Sequence, residues 1–378
     1  MQNINMQRID SLRQSMETSR IDALLVLIGE NRRYLSGYTG EDGAFDESAG
    51  ALLITGDALI LLTDARYTLQ AENECPDFRV VTYKKGLSKE LPDILAELHI
   101  RHLGYEKRKV SVEQFGMIED AIQQAGLSTA LVGTVDMVEQ LRIIKSESEI
   151  NAIKDALVIA EDAFLNALKS IEPGMPETDA AWEIEKRMRQ TGAQSVSFPV
   201  ITAGGPNAAL PHATPGPDPI EKGQSILFDW GARLNGYCSD TSRTLFWGKP
   251  DGQFEKIFNA VYDAQQKAID AVRAGAYTGD IDAIAREALK DKGLDAYFGH
   301  GLGHGIGLAI HEKPSVSPVP ERNIRIEENM VFTIEPGVYI PGWGGVRLEN
   351  VVAVRPDGAE VLNRLNTTHN PQSITYNR

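Results

Sequence analysis

Short apolar runs alternate with stretches of helical spacing through the first third of the chain. Ala23 to Ile28 reads as a buried strand, Gly50 to Ile54 and Ala58 to Leu62 as a hairpin turning on Gly56-Asp57, and Phe78 to Tyr83 as a further strand. Leu87 to Leu98 and Val112 to Ala125 carry apolar side chains at helical intervals, and Thr129 to Val132 closes the series. The alternation predicts an α/β domain of about 130 residues. Two polar clusters within it, Asn31 to Gly40 and Thr63-Asp64-Ala65-Arg66-Tyr67, lack catalytic spacing of their own. They read as loops and a helix start, or as a cleft wall or subunit contact.

A boundary is expected between Val132 and Lys145, giving domains 1–132 and 133–378. Ser146 and Glu149 form a capping-box pattern, followed at helical spacing by Ile150, Ile153, Leu157, Ala160, Phe164 and Leu168, so a long helix opens the second domain. That domain repeats faintly. Ile171 to Gly192 and Val272 to Gly293 match at an offset of 101 in Gly174/Gly275, Asp179/Asp280 and Gly192/Gly293. Each copy follows a long amphipathic helix and precedes strands that end in an acidic hairpin, an order that favours duplication.

The hairpins carry the chemistry. In the first, Ser225 to Asp229 is an apolar strand ending in an acid, Asn235-Gly236 turns, and Asp240 stands on the return. In the second, Met330 to Glu335 runs out, Gly342 to Gly345 turns, and Glu349 stands on the return after Gly345-Val346-Arg347-Leu348. A carboxylate in an apolar strand is costly to bury unpaired, so four of them call for a shared cation or strong donors. Between the hairpins, Gly299 to Glu312 places glycine at every second position as far as Gly307. An extended backbone there would put His300, Leu302, His304 and Ile306 on one face and leave the other bare for close approach. His300 and His304 would then lie roughly 13 Å apart, too far to share an ion. Four carboxylates and one imidazole make a hard, oxygen-rich site for manganese, cobalt, iron or zinc, and four negative charges balance two divalent ions. Such a pair lowers the pKa of a bridging water and polarises a carbonyl, which is hydrolysis, with Glu335 placed to carry the proton to the leaving nitrogen. Arg347 precedes Glu349 by two and faces the same way, to pair with a ligand carboxylate or to hold substrate.

The 378 residues are 42% hydrophobic and 24% charged, as in a globular protein, and the net charge of -15 argues against a nucleic-acid partner. No run of 18 apolar residues occurs, and Met1 to Arg20 resembles neither a signal peptide nor an anchor, so no membrane partner is expected. Cys75 and Cys238, far apart, suit a reducing compartment, and a cytoplasmic location is expected.

As a set, Phe228-Asp229-Trp230-Gly231-Ala232, Ser239 to Thr244, Gly303-His304-Gly305-Ile306-Gly307 with His311-Glu312, Glu335-Pro336-Gly337 and Gly345 to Glu349 resemble the motifs of the pita-bread metallopeptidases. These include aminopeptidase P, prolidase and methionine aminopeptidase. The resemblance implies an α+β architecture: a pita-bread catalytic domain of duplicated helix-helix-strand halves, preceded by an α/β creatinase-like N-terminal domain. It also implies five metal ligands, Asp229, Asp240, His304, Glu335 and Glu349, with Asp240 and Glu349 bridging. His212, 17 residues before Asp229, and His300 and His311 match the family's further active-site histidines, which hold the scissile peptide and the substrate backbone. The added domain and the short separation of the glutamates are similar to aminopeptidase P and prolidase. The implied activity is release of the residue before proline by a hydroxide bridging two divalent metals, expected to be manganese, in a homodimer acting on proline-containing peptides. Prolidase is the alternative, with Arg322 or Arg325 reading a free carboxylate, and a creatinase-like small-molecule hydrolase or lyase is another. Ala65 where glycine is usual, extra residues around Phe45 to Ser48, Thr241-Ser242-Arg243 for Ile-Thr-Arg, and Asn350 for Asp are departures outside the ligands.

Overall fold

The protein, seen in a computed structural model, is described over residues 2–43 and 47–377. The expected insertion around Phe45 therefore lies partly outside the described residues. The chain divides into two compact units, Met1–Arg142 and Ile143–Arg378. The division falls at Arg142, inside the interval Val132 to Lys145, and the short helix Glu139–Arg142 is tied to the first unit. There the Tyr34 hydroxyl donates to Leu141 O at 2.9 Å, and Arg142 Nη1 donates to Asn31 Oδ1 at 2.7 Å.

In chain order the first unit holds α1 (Gln2–Ser19), β1 (Ala23–Val26), α2 (Gly29–Ser36), β2 (Ala51–Thr55), β3 (Leu59–Thr63), α3 (Thr68–Glu74), β4 (Arg79–Thr82), α4 (Leu87–Glu97), β5 (His102–Glu106), α5 (Val112–Gln124), β6 (Ala130–Thr134) and α6 (Glu139–Arg142). The strands form one sheet in the order β4-β3-β2-β1-β5-β6. β2 is antiparallel to both its neighbours, and the remaining pairs are parallel. Leu91, Ile94 and Leu95 of α4 and Ile118 and Ile122 of α5 share one core with Leu25, Leu53 and Leu103 of the sheet. The expected hairpin is present, with Ile54 opposite Leu59. α1 and β5 escape the apolar pattern, since α1 buries only about one residue per turn, Ile9, Leu12 and Met16, and β5 reads His-Leu-Gly-Tyr-Glu.

The second unit is built in two halves. The first runs α7 (Glu147–Ala167), α8 (Glu177–Thr191), β7 (Ser195–Val196), β8 (Ile201–Gly204), β9 (Ser225–Trp230), β10 (Ala232–Leu234), β11 (Tyr237–Cys238) and β12 (Thr241–Phe246). The second runs α9 (Gly252–Ala271), α10 (Thr278–Lys290), β13 (Gly303–Gly305), β14 (Glu312–Val316), β15 (Val331–Ile334), β16 (Gly337–Ile340), β17 (Gly344–Arg347), β18 (Asn350–Arg355) and β19 (Gly358–Val361). The capping box at Ser146 and Glu149 opens α7 as expected, and α8 and α10 begin 101 residues apart. Gly174, Gly192, Gly275 and Gly293 all adopt positive φ, from 69° to 113°, which gives the repeated glycines a conformational reason. No helix of the described residues is long and apolar enough to cross a membrane.

Packing fixes where the hairpins point. Trp230, at the end of β9, stacks on Phe164 of α7 with ring centroids 3.9 Å apart and donates Nε1–H to Ala160 O at 2.9 Å. The pairing adds about 1 kcal/mol beyond buried area and locks Asp229, one residue earlier, in depth and direction. Arg243 of β12 is fully buried. It donates to Glu349 O at 2.5 Å, Asn350 Oδ1 at 2.9 Å and Leu365 O at 3.0 Å, joining the first hairpin to the second.

Candidate metal centre and active site

Strand register places the four acids. Pairs Trp230↔Thr241 and Arg233↔Cys238 belong to one continuous hairpin register, which sets Asp240 opposite Gly231, while Asp229 faces Ser242. A Cβ at Gly231 would come 1.9 Å from Ser239 O, so only glycine admits the return strand there. In the second half Ile334↔Asn350 and Gly337↔Arg347 also share one register, which sets Glu335 opposite Glu349 at the corner where the β15–β18 ladder gives way to β16–β17. The two hairpins are tied side chain to side chain, since Ser242 Oγ donates to Glu349 Oε2 at 2.9 Å.

The glycine run behaves differently from a continuous strand. Only Gly303–Gly305 is extended, with a bulge between His304 and Gly305, so His300 and His304 are not successive members of one flat face. Close approach is nonetheless its purpose. A Cβ at Gly303 would meet Thr333 O at 1.9 Å, and one at Gly305 would meet Lys313 O at 2.1 Å. The squeeze delivers His304 between the acid pairs, with Nε2 3.5 Å from Asp240 Oδ2 and 3.4 Å from Glu335 Oε1. Its Nδ1 is 3.1 Å from Gly305 O. A carbonyl can only accept, so Nδ1 carries the proton and Nε2 keeps a lone pair aimed at the acids.

Asp240, His304 and Glu349 each offer a ligand atom, and these atoms lie within 4.8 Å of one another. Asp229 Oδ1, Asp240 Oδ1 and Glu349 Oε1 are buried and have no hydrogen-bond partner among the described residues. Buried acceptors are ordinarily satisfied, so these orphaned carboxylate oxygens, with Asp240 and Glu349 clustered about His304, form a carboxylate–histidine site that fits divalent cations. The electrostatics agree. Burial, and then the charges of Glu349, Asp229 and Glu335, push the Asp240 carboxyl well above the usual carboxylate range. Burial followed by Glu335 and Asp229 does the same to Glu349. Burial pushes Glu335 up to about 8, with Arg347 opposing. Burial and then His311 hold His304 down to about 3, so it is a neutral donor at any ordinary pH.

A second layer orients the first. Arg347 is buried and spends its donors on Asp229 Oδ2 at 2.5 Å, Ser242 Oγ at 2.8 Å, and Tyr339 Oη and Pro211 O at 2.9 Å each. Burial works against its charge, but Tyr339, Asp229 and Glu335 together hold its pKa above the ordinary value. Of the roles foreseen for Arg347, pairing with a carboxylate is the one its geometry displays. His300 Nδ1 donates to Gly301 O at 2.7 Å, so Nε2 accepts the Tyr339 hydroxyl proton at 2.9 Å. Burial holds His300 neutral, down to about 4. Thr333 Oγ1 accepts from His304 N at 3.1 Å and donates to Glu335 Oε1 at 3.3 Å.

A cavity of about 790 Å³ opens beside these groups and is lined by His212, Asp229, Asp240, His300, His304, His311, Glu335 and Arg347. The candidate residues separated by up to 135 positions thus meet at one place, with Glu349 just behind. Arg322 also lines the cavity, whereas Arg325 does not and pairs through its backbone with Tyr277. Tyr339, Ser242 and Thr333 were not singled out in the sequence. For Tyr339 a signal exists in Glu335-Pro336-Gly337-Val338-Tyr339, where alternate positions share a face. A Cβ at Gly337 would fall 2.4 Å from the Tyr339 hydroxyl, so the glycine makes room for the ring to lean back toward the acids.

Comparison with known proteins extends the resemblance over the whole chain. The model of Metallopeptidase family M24 matches residues 151–356, and that of the Creatinase/Prolidase N-terminal domain matches residues 8–144. An Xaa-Pro dipeptidase of Pyrococcus horikoshii is 34% identical over 95% of this chain and 97% of its own. The solved structure of an Xaa-Pro dipeptidase from Bacillus anthracis superposes with a TM-score of 0.90 at 36% identity, covering 97% of this chain and 99% of that one. An X-Pro aminopeptidase from Thermotoga maritima gives 0.83 at 36% identity, covering 94% and 99%.

Proposed function

The chain belongs to metallopeptidase family M24, and from that premise we propose that it is a dinuclear Xaa-Pro dipeptidase, splitting dipeptides into proline and the residue before it. The observation that carries the reading is the trio of orphaned oxygens on Asp229, Asp240 and Glu349, two of these acids clustered with His304, beside a cavity large enough for a dipeptide. Asp229, Asp240, His304, Glu335 and Glu349 would hold two divalent ions, manganese in the first instance, with cobalt, zinc or iron compatible with the same donors. Bound there, the ions supply Lewis acidity, lowering the pKa of water and polarising the scissile carbonyl.

The protein's own groups do the rest. His212 and His311 line the cavity with the acids and hold the peptide's carbonyl oxygen and backbone. Glu335 takes a proton from the attacking water as the new C–O bond forms and delivers it to the proline nitrogen as the C–N bond breaks, the task of a carboxylate positioned beside both. That delivery matters more for a tertiary amide, which has no N–H of its own. Tyr339 and His300 fix Arg347, which fixes Asp229. His304→Ala is accordingly expected to lose bound metal, while His300→Ala keeps its metal and loses turnover. Metal analysis of the two variants would reverse the assignment if His304→Ala stayed fully loaded.

The names of the relatives favour a dipeptidase over the aminopeptidase reading, and Arg322 supplies a reason. It lines the cavity, is exposed, and has no ion-pair partner among the described residues, so it is available to read the free carboxylate of a dipeptide. Arg322→Ala is expected to raise KM for Ala-Pro about tenfold with kcat and metal content kept. The similarity to an X-Pro aminopeptidase favours a second reading, in which longer peptides are cut. The experiment is mass spectrometry of products after manganese-loaded protein meets Ala-Pro and Ala-Pro-Ala together, with a chelator control. Chelator-sensitive loss of the dipeptide alone is expected. Cleavage of the tripeptide would give the aminopeptidase reading, and survival of both would point to small-molecule substrates.

A further inference from the structure

His212 has no hydrogen-bond partner for its ring among the described residues, and it is exposed, yet it stands in the cavity wall. Its direction is therefore inherited from its backbone. The segment that carries it, between β8 and β9, contains no regular strand or helix beyond the single turn Gly205–Ala209. What closes this loop is a carboxylate outside the metal cluster. Glu177, the first residue of α8, is 2% exposed and accepts from Gly204 N at 2.6 Å, Asn207 Nδ2 at 2.7 Å and Gly216 N at 2.9 Å. One side chain thus grips both ends of the loop. The first turn of α8 adds two bonds in the other sense, from Glu177 N to Asp218 O at 3.0 Å and from Thr178 N to Gly216 O at 3.1 Å. Asn207 Nδ2 also reaches Thr214 O at 3.4 Å, crossing the loop beneath His212. From the cavity side Arg347 adds its bond to Pro211 O at 2.9 Å.

We propose that Glu177 is a positioning residue: its carboxylate clasps the Gly204–Gly216 loop and so sets His212 against the bound peptide. The catalytic half of this proposal rests on the role given to His212 above. The second half of the unit uses a related device. Asp282 of α10 accepts from Leu302 N at 3.0 Å and holds Arg286 Nε at 2.6 Å, while Arg286 donates to Phe298 O and His300 O, gripping the segment that bears His300. In each half, then, a helix-borne acid holds the loop of an active-site histidine that is not a candidate ligand. A glutamine at 177 keeps one acceptor but turns an amide donor toward the remaining loop donors. Asn207→Ala removes the bonds to Glu177 and to Thr214 O and leaves the start of α8 intact.

The test compares Glu177→Gln, Asn207→Ala, His212→Ala and the two doubles with His212→Ala, all metal-loaded and well below their unfolding temperatures. Expected are full metal content, a fall in kcat of up to about 10²-fold for Glu177→Gln with a smaller fall for Asn207→Ala, and no further fall when either is added to His212→Ala. Amide hydrogen exchange over residues 204–216, measured without substrate, should quicken in Glu177→Gln. Unchanged exchange, or losses that multiply in the doubles, would overturn the proposal. Full turnover in His212→Ala would remove the role given to His212, whereas faster exchange in Glu177→Gln would still support the clasp.

Discussion

Replacing Asp240 or Glu349 with alanine is expected to strip the site of metal and of activity together. Both side chains are almost wholly buried, and each has one carboxylate oxygen with no hydrogen-bond partner among the described residues. Neither performs a task within the fold that explains those orphaned oxygens, and each offers a ligand atom within 4.8 Å of one on His304. Loss of one would therefore remove a ligand that no neighbour can supply. Turnover should fall by more than the ~10² to 10³ that follows removal of one oxyanion-stabilising donor, because attack, carbonyl polarisation and substrate placement fail together. The check is metal content per chain by elemental analysis beside hydrolysis of Ala-Pro. A variant that kept full activity without metal would end the metallopeptidase reading for this chain.

Removing the metal from the unaltered protein should make its stability fall as pH rises between about 6.5 and 8. Glu335, Asp240 and Glu349 hold protons in the folded, metal-free state at pH values where the unfolded chain has released them. A carboxyl whose folded pKa is raised contributes stability fully at low pH, and that contribution is lost on climbing through the folded pKa. The slope is about 1.4 kcal/mol per pH unit for each such group. His300 and His304 work in the opposite sense. Their folded pKa values are depressed to about 4 and about 3, so they cost stability as pH falls below about 6.5. As pH rises above about 6.5 the histidine contribution fades and the raised carboxyls dominate the slope, with Glu106, pushed up to about 7 by burial, adding to it whether or not metal is bound. Calorimetry of chelated protein should find a lower Tm at pH 8 than at pH 6.5, metal should flatten the difference, and Glu349→Gln should lessen it. A Tm that rose across this window in chelated protein would contradict the crowding of charge argued here.

The parts of the fold that the sequence declares are those set by local periodicity and capping. Ser146 and Glu149 announce α7 because a capping box is a contact between residues three apart, and the acids of the hairpins stand out because charge is rare inside apolar strands. What escapes is settled by distant partners. β5 carries too little apolar pattern to be recognised, yet its Glu106 accepts from Leu27 N, Ile28 N and Asn31 Nδ2, groups 75 to 79 residues away. The same holds at the site. Its candidate carboxylate ligands were legible as acids in a repeated frame and Tyr339 by its alternation with Glu335, but Ser242 and Glu177 act through bonds to Glu349 and Asn207, 107 and 30 positions off, or through backbone groups, and no spacing encodes those. The glycine run misled in one respect, since alternation suggested a long strand where a bulge at His304 ends it.

Arg243 links the two halves in a further way. A guanidinium wholly removed from water, whose pKa burial drives down to about 10, is tolerable because backbone oxygens of the other half surround it. Cutting the chain in the exposed link near Asp251 and separating the fragments would take Glu349 O, Asn350 Oδ1 and Leu365 O away from Arg243 and leave it Ser242 O within its own half. The repeat therefore persists as two halves joined through one buried charge whose acceptors come from both.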